Sequence, residues 1–361
     1  MKKCLETLVD FWGRLAAFPV KIGRKYNNCG QLTEKMMISI CKNVEKSSPV
    51  YVSHYLRDRC VYKPNSCPKV INGDSITVIL QGPIEYRDDF TLQTAQGYID
   101  AGYFDIIVST WDSEKEDVLS DLRKIGAKVV TSLLPADGGY GNINFQLVST
   151  QRGIKEAIDS GAKYICKSRT DQRIENIFIF KAMQSLFDTY PVSEASMLSE
   201  RIIALSTEYG SFYEPYYVSD FLYFGLAQDM AKFLDIKLDN RECFERKGLS
   251  RKDVAEKKAI AEVYIMRSLV EILGNAYGCS IRDYWKFIKE NLILLDKSII
   301  KLYWPKYDTR YCEHLRNGAY SCVMASEAYR DANLDFTSWL LLYNGFLIYD
   351  EEYEKLLELP L

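Results

Sequence analysis

Between Tyr164 and Glu175 the chain reads YICKSRTDQRIE. An apolar approach, Tyr164-Ile165-Cys166, runs into Lys167, Arg169, Asp171 and Arg173, four charges at every second position. In an extended segment, side chains two apart share a face, so the spacing predicts that all four point the same way. One carboxylate among three cations suits a phosphorylated ligand. The cations meet phosphate oxygens, and the carboxylate holds a divalent metal or a sugar hydroxyl. A surface strand with an alternating charged face is the structural alternative.

The elements that must position this run form a regular alternation. Ile76–Leu80 reads as a buried strand ending in Gln81-Gly82-Pro83, Asp105–Thr110 as a second strand, Lys128–Thr131 as a third and Tyr164–Ser168 as a fourth. Helical patterns over Asp89–Ala101, Glu114–Ile125 and Asn144–Ser160 separate them, the last two ending at Gly126 and Gly161. Short strands alternating with helices predict an α/β fold, a Rossmann-type, mostly parallel central sheet with helices on both faces. Ligands of such sheets gather at the carboxyl ends of the strands. QGP, STWD and KSRTDQR all lie at such ends. The loop Ala136-Asp-Gly-Gly-Tyr-Gly-Asn142 precedes a helix and can turn backbone N–H groups toward an anion, but its glycine spacing is neither a Walker loop nor a dinucleotide fingerprint. Later, Met197-Leu198, Ile202–Leu205 and Phe221–Phe224 read as strands, Lys232–Ser250 as a charged loop and Val254–Leu273 as one long amphipathic helix.

With 361 residues the chain can bury a large core. Its net charge of −3 argues against a general nucleic-acid binder. Ten Cys without a CxxC pair, and only two His, His54 and His314, argue against a zinc site and read as reduced cytoplasmic thiols and structural histidines. No run is apolar enough to cross a bilayer. Residues 1–74 read as a helical N-terminal extension and a linker, with Ser, Pro, Asn and Lys enriched over 45–74. Within residues 1–25, Leu5, Leu8, Phe11, Trp12, Leu15 and Phe18 alternate helically with Lys2, Lys3, Arg14, Lys21, Arg24 and Lys25. This pattern suits a helix resting on an anionic membrane surface or one packed on the domain. Residues 75–300 read as the main domain, with halves 75–175 and 176–300, and 301–361 as an extension packed back on it.

With these residues in place, the chain resembles the WavE-type lipopolysaccharide-synthesis glycosyltransferases, which have a GT-A-like nucleotide-sugar fold. The similar segments are VILQGPI (78–84), IIVSTWD (106–112), the Asn-x-Asn-x-Gln start with STQRG (142–153), KSRTDQR (167–173) and SDFLYFG (219–225). The resemblance implies transfer of a sugar from a nucleotide-sugar donor to a growing surface glycan, lipopolysaccharide or capsule, on a glycan or lipid-linked acceptor. It implies that Gln81, Gly82 and Pro83 meet the nucleotide base, that Thr110 and Asp112 meet base or ribose, and that Asn142, Asn144 and Gln146 line the sugar-donor site. It puts the metal-binding acidic motif at Asp171, with Mg²⁺ or Mn²⁺ as the expected cofactor. The chain departs from a full Asp-x-Asp there, because Arg169 stands two residues before Asp171. Neutralisation of the leaving diphosphate by Lys167, Arg169 and Arg173 alone is the other way to run the same chemistry.

Transfer with inversion needs a base for the acceptor hydroxyl. Asp220, beside an aromatic-rich strand, is the leading candidate. Glu262, in an apolar helical setting that raises a carboxyl pKa, is the second, and Glu200-Arg201 is a weaker polar pair. Two rival readings stand beside this one. A nucleotidyltransferase wants a Gly-rich loop with a basic residue after the first strand, which QGPIEYRDD does not provide. A non-catalytic glycan-binding or scaffold protein would suit the many aromatics. A cytoplasmic location, peripheral to the inner face of the membrane, goes with the transferase reading.

Overall fold

The computed structural model describes residues 7, 11–15, 17–18, 29–47, 75–102, 105–206, 211–242, 245–274, 277–305 and 334–360. The chain divides into two compact units, Met1–Cys60 and Val61–Leu361. In the first, residues 7, 11–15 and 17–18 are helical, and helix α1 spans Cys29–Ser47. Most of the Ser/Pro/Asn-rich segment, His54 and His314 lie outside the described residues. Among the described residues, no helix is long and apolar enough to cross a membrane.

The second unit is built on a seven-stranded sheet. Its strands are β1 (Ile76–Gln81), β2 (Asp105–Trp111), β3 (Lys128–Ser132), β4 (Tyr164–Arg169), β6 (Ile202–Ser206), β7 (Tyr223–Leu226) and β8 (Leu292–Asp296). They lie in the order β3-β2-β1-β4-β7-β6-β8. A separate two-stranded pair joins β5 (Arg173–Ile174) to β9 (Leu302–Tyr303). The α/β expectation holds: β1 pairs in parallel with β2 and β4, β2 with β3, and β6 with β8, while β7 alone runs antiparallel. β1 is buried along its whole length, as a strand covered on both faces must be. Helices α2 (Phe90–Ala101), α3 (Glu116–Lys124) and α4 (Ile143–Asp159) fill the crossovers between the first four strands.

α4 lies on β1 and β2, and Gly153 allows the close approach. A Cβ there would sit 2.4 Å from Ile79 Cγ2 and 3.2 Å from Ser109 Cβ. The register Gln81↔Ser109 and Gln81↔Arg169 brings the carboxyl ends of β1, β2 and β4 level. Beyond β4 come α5 (Ile179–Thr189), α6 (Ala261–Ile272), α7 (Ile281–Asn291) and α8 (Phe336–Tyr343).

Three expectations need correction. The predicted long helix over Val254–Leu273 is two pieces, Arg251–Glu256 and α6. The break falls at Lys257–Ile260, where Lys258 takes φ +50° and Ile260 is extended. Met197-Leu198 is irregular rather than a strand, and the strand expected over Phe221–Phe224 starts two residues later at Tyr223.

Candidate functional site

The site grows from the ends of β1 and β4, which a turn stitches together. Gln81 closes β1 with its side chain buried, Oε1 accepting from Ser149 Oγ at 2.5 Å. Gly82 follows at φ +110°, a conformation that L side chains rarely adopt. The Thr170 N–H donates to the Gln81 carbonyl at 3.1 Å, the Thr170 hydroxyl donates to the Pro83 carbonyl, and the Thr91 hydroxyl donates to the Thr170 carbonyl at 2.9 Å.

That turn ends β4 at Arg169, so the charged run does not stay extended and its four side chains do not share a face. Lys167 points into the protein, 1% exposed, its ammonium donating to the Asp220 backbone carbonyl and lying 5.6 Å from the Tyr223 ring centre. Burial pulls its pKa down to about 8, against the pull of the Asp220 charge. Arg169 remains at the surface of the cleft. It grips Asp171 with two bonds, Nε to Oδ1 at 2.8 Å and Nη2 to Oδ2 at 3.1 Å, and lies 5.0 Å from the Trp304 ring centre. Arg173 turns away toward α2, donating from Nε to Thr94 Oγ1 at 3.1 Å over the Phe90 ring.

Above the strand ends lies a cleft of about 520 Å³. It brings together Gln81, Gly82, Pro83, Asn142, Gln146, Arg169, Asp220 and Glu262 from the expected set. Asn142 closes the Gly-rich loop at φ +64°. Gln146 Nε2 is buried and has no hydrogen-bond partner among the described residues. Asp220 arrives because β7 is antiparallel: Tyr223 pairs with Lys167, so the segment before β7 emerges at the carboxyl edge of β4. Glu262 arrives because the helix breaks, which puts it in the first turn of α6 at the cleft wall.

The two carboxyl groups feel each other. Burial first, and then the Asp220 charge, push Glu262 up to about 8, with Arg246 and Lys167 opposing. Glu262 therefore keeps its proton at neutral pH. Burial beside the same two acids also raises the Tyr223 phenol.

The other expected residues lie outside the lining. Thr110 is buried, its hydroxyl 3.3 Å from Glu114 Oε1. Asp112 is exposed, its N–H donating to the Ser132 carbonyl at 3.0 Å. Asn144 is a strut: Nδ2 donates to the carbonyls of Asp239 at 2.8 Å and Asp137 at 3.2 Å, and Oδ1 accepts from the Asp239 N–H at 2.6 Å. It holds the Gly-rich loop in place. Lys167, Asp171 and Arg173 also fall outside the lining. Arg201 is buried against the carbonyls of Tyr190 and Pro191, both at 3.0 Å.

Sequence reasoning missed Arg246 and the aromatic wall. Arg246 lines the cleft with its guanidinium 5.2 Å from the Tyr140 ring centre, and it has no ion pair among the described residues. Trp111, Phe145, Tyr217, Phe221 and Trp304 form the aromatic part of the lining. Trp304 comes from the segment after β9 and packs edge-on to Phe221 at 4.5 Å. Arg246 lies in a loop of mixed charges, so only its long-range stacking singles it out.

A divalent ion expected at Asp171 can be tested against this donor set. Both Asp171 oxygens are engaged by Arg169. Among the described residues, no three His, Cys, Asp or Glu side chains come together. Asp220 and Glu262 face Lys167 and Arg246, which repel a second cation. The residues do not fit a metal at Asp171.

The chain is an α/β protein with a mostly parallel sheet and a polar, cation-flanked cleft at the carboxyl edge of its strands, where ligands of such sheets gather. The family model described as WavE lipopolysaccharide synthesis matches residues 76–357. The chain belongs to the WavE lipopolysaccharide-synthesis family. No curated protein matches it. Among solved structures it is similar to a protein described as a nucleotide-diphospho-sugar transferase from Desulfovibrio desulfuricans, at 10% identity and TM-score 0.32, over 74% of this chain and 97% of that one. It is similar to Staphylococcus aureus TarS at 12% identity and TM-score 0.30, over 60% and 64%. A 4-diphosphocytidyl-2C-methyl-D-erythritol synthase from Anaerococcus prevotii gives 12% and 0.30, over 53% and 86%. These likenesses are too distant to assign an activity.

Proposed function

We propose that the protein is a GT-A-like glycosyltransferase of surface-glycan synthesis, moving a sugar from a nucleotide-sugar donor to a glycan or lipid-linked glycan acceptor. The observation that carries this reading is one cleft in which Asp220 and Glu262 face the Gln81-Gly82-Pro83 end of β1, with Arg169 and Arg246 on its walls. Family membership supports it. The nucleotide occupies the β1 side, where Gln81, Gly82 and Pro83 meet backbone-sized groups and Trp111 and Phe145 offer flat apolar faces. Asn142 and Gln146 hold the donor's polar groups, Gln146 through its unsatisfied Nε2.

Asp220 takes the proton of the acceptor hydroxyl as that oxygen bonds to the sugar's anomeric carbon. The bond from that carbon to the diphosphate oxygen breaks with its electron pair, and the diphosphate leaves with inversion at the sugar. Glu262, protonated at neutral pH, donates a hydrogen bond to a sugar hydroxyl.

A lipid-linked acceptor would lie at a membrane surface. Phe11, Trp12, Leu15 and Phe18 are 48–64% exposed on a helical segment, and residues 1–25 carry six Lys and Arg against two acids. Such a helix lies in an anionic interface, which would make the protein peripheral at the inner leaflet. Deleting residues 1–25 should release the folded protein from the membrane fraction; unchanged association would sink this part.

The donor part is tested by a thermal-shift screen against UDP-, GDP-, CMP- and dTDP-sugars. Stabilisation by one nucleotide class is expected. No shift with any of them would favour a glycan-binding scaffold.

A further inference from the structure

We infer that this cleft handles the nucleoside diphosphate without a divalent metal, Arg169 and Arg246 together forming the anion clamp. The inference rests on the glycosyltransferase reading and fixes how its leaving group is neutralised.

Four observations carry it. First, the acid at the expected metal position is committed: Asp171 is held by a two-bond guanidinium fork, and a metal there must displace a positive charge from both of its oxygens. Second, the cations of the charged run are dispersed by the Thr170 turn. Arg173 is spent on α2 and Lys167 lies under Asp220, so Arg169 alone of the run's cations reaches the cleft. Third, a cation from a distant loop joins it. Arg246 reaches the same cleft, braced on the Tyr140 ring and without an ion pair among the described residues. A guanidinium held by an aromatic face rather than by a carboxylate keeps its donors for a ligand. Fourth, the charge balance favours an anion. Of the charged side chains that line the cleft, Arg169 and Arg246 stand against Asp220, and Glu262 holds a proton at neutral pH. The unliganded cleft is therefore net positive, which attracts a diphosphate and repels Mg²⁺.

Arg246, which has no ion pair among the described residues, can offer paired N–H bonds to phosphate oxygens, and Arg169, whose Nε and Nη2 are engaged by Asp171, adds its positive charge on the same cleft wall. Together the two can take up the charge that develops as the diphosphate departs, the part otherwise played by a metal ion. Asp171 is then a positioning residue that sets the angle of Arg169. Trp304 and Tyr140 are the surfaces on which the two guanidinium groups rest.

The test is calorimetric titration of the full chain with UDP, GDP and dTDP, in excess chelator and then in Mg²⁺ or Mn²⁺, for wild type, Arg246→Ala, Arg246→Lys and Asp171→Asn. Binding of one nucleoside diphosphate in chelator is expected, changed less than about threefold by metal. Arg246→Ala should weaken it about tenfold or more, as loss of a charge-assisted bond does, and Arg246→Lys should restore part. Asp171→Asn should still bind without metal. Arg246 is exposed, so its variants should fold, which circular dichroism checks. Binding that appears only with metal, or that vanishes in Asp171→Asn, would overturn the inference and leave the transferase reading standing. Metal-free binding indifferent to Arg246 would overturn the assignment of the clamp. No binding of any nucleotide under either condition would overturn the transferase reading itself.

Discussion

Glu262 offers the sharpest handle on the site, because a pH dependence with a definite sign follows from its place. Burial and the neighbouring Asp220 charge raise its carboxyl from 4.5 to about 8. The folded state therefore binds this proton more tightly than the unfolded chain. The contribution to stability is full below the unfolded value and is lost as pH rises through the folded one. Each tenfold difference in proton affinity between the two states is worth about 1.4 kcal/mol. Between about pH 5 and about pH 8 the unfolded carboxyl ionises while the folded one is still half-protonated at the upper limit, which gives about 3.5 kcal/mol across that window. Glu262 is only half-buried by its surface and opens on a wet cleft, so about 2 kcal/mol is the expected loss. Glu262→Gln keeps the shape and hydrogen bonding of the neutral acid and removes the titration. Urea unfolding of both proteins across this range gives the answer, since titrating groups distant from Glu262 cancel in the difference. The variant should gain about 2 kcal/mol on wild type between the two limits, about 3 °C in Tm. A constant difference would refute the placement of a half-buried, protonated Glu262 beside Asp220. Wild type should lose transfer rate as pH rises through about 8, and the same variant should lack that fall.

Other outcomes follow from the packing. Lys167→Met should remove the opposite linkage: the folded ammonium titrates near 8 rather than 10.5, so wild-type stability falls relative to the variant as pH is lowered between these values, read by urea unfolding at alkaline pH. Gly153→Ala places a Cβ 2.4 Å from Ile79 Cγ2 and should cost about 1–3 kcal/mol, measured by the same unfolding experiment. Asn144→Ala breaks three hydrogen bonds that tie the Gly-rich loop to Asp137 and Asp239. It should cost about 2–3 kcal/mol and weaken binding of the sugar donor, read by unfolding and by titration calorimetry.

The first four strands were legible because buried parallel strands read as short apolar runs between helical patterns, as Ile76–Leu80 and Tyr164–Cys166 do. Their carboxyl ends pointed to the site for a topological reason, and Gln81, Gly82, Pro83 and Arg169 do line the cleft. The turn at Thr170 was not legible: it is held by the carbonyls of Gln81 and Pro83, about ninety residues away. Without it the alternation of Lys167, Arg169, Asp171 and Arg173 looks like one face. The break before Ala261 was hidden likewise, since Val254–Leu273 keeps helical spacing across it and Arg241 holds the intervening carbonyls of Lys257 and Lys258 from outside. β8 is a short apolar run directly after α7, which periodicity alone does not separate from helix. Arg246 and Trp304 reach the cleft through long-range packing that no local pattern encodes.

If this cleft transfers a sugar and releases the nucleotide, the reaction products carry the proof. Phosphorus NMR of the reaction products tests it most directly. The purified protein is given UDP-, GDP- and dTDP-sugars with lipopolysaccharide acceptor, and in parallel the nucleoside triphosphates with sugar 1-phosphates, with Asp220→Asn as control. A transferase should release a nucleoside diphosphate from one sugar donor, dependent on acceptor and reduced about a hundredfold or more in Asp220→Asn. Release of pyrophosphate from a triphosphate and a sugar phosphate, with no transfer to acceptor, would contradict it and make the protein a nucleotidyltransferase.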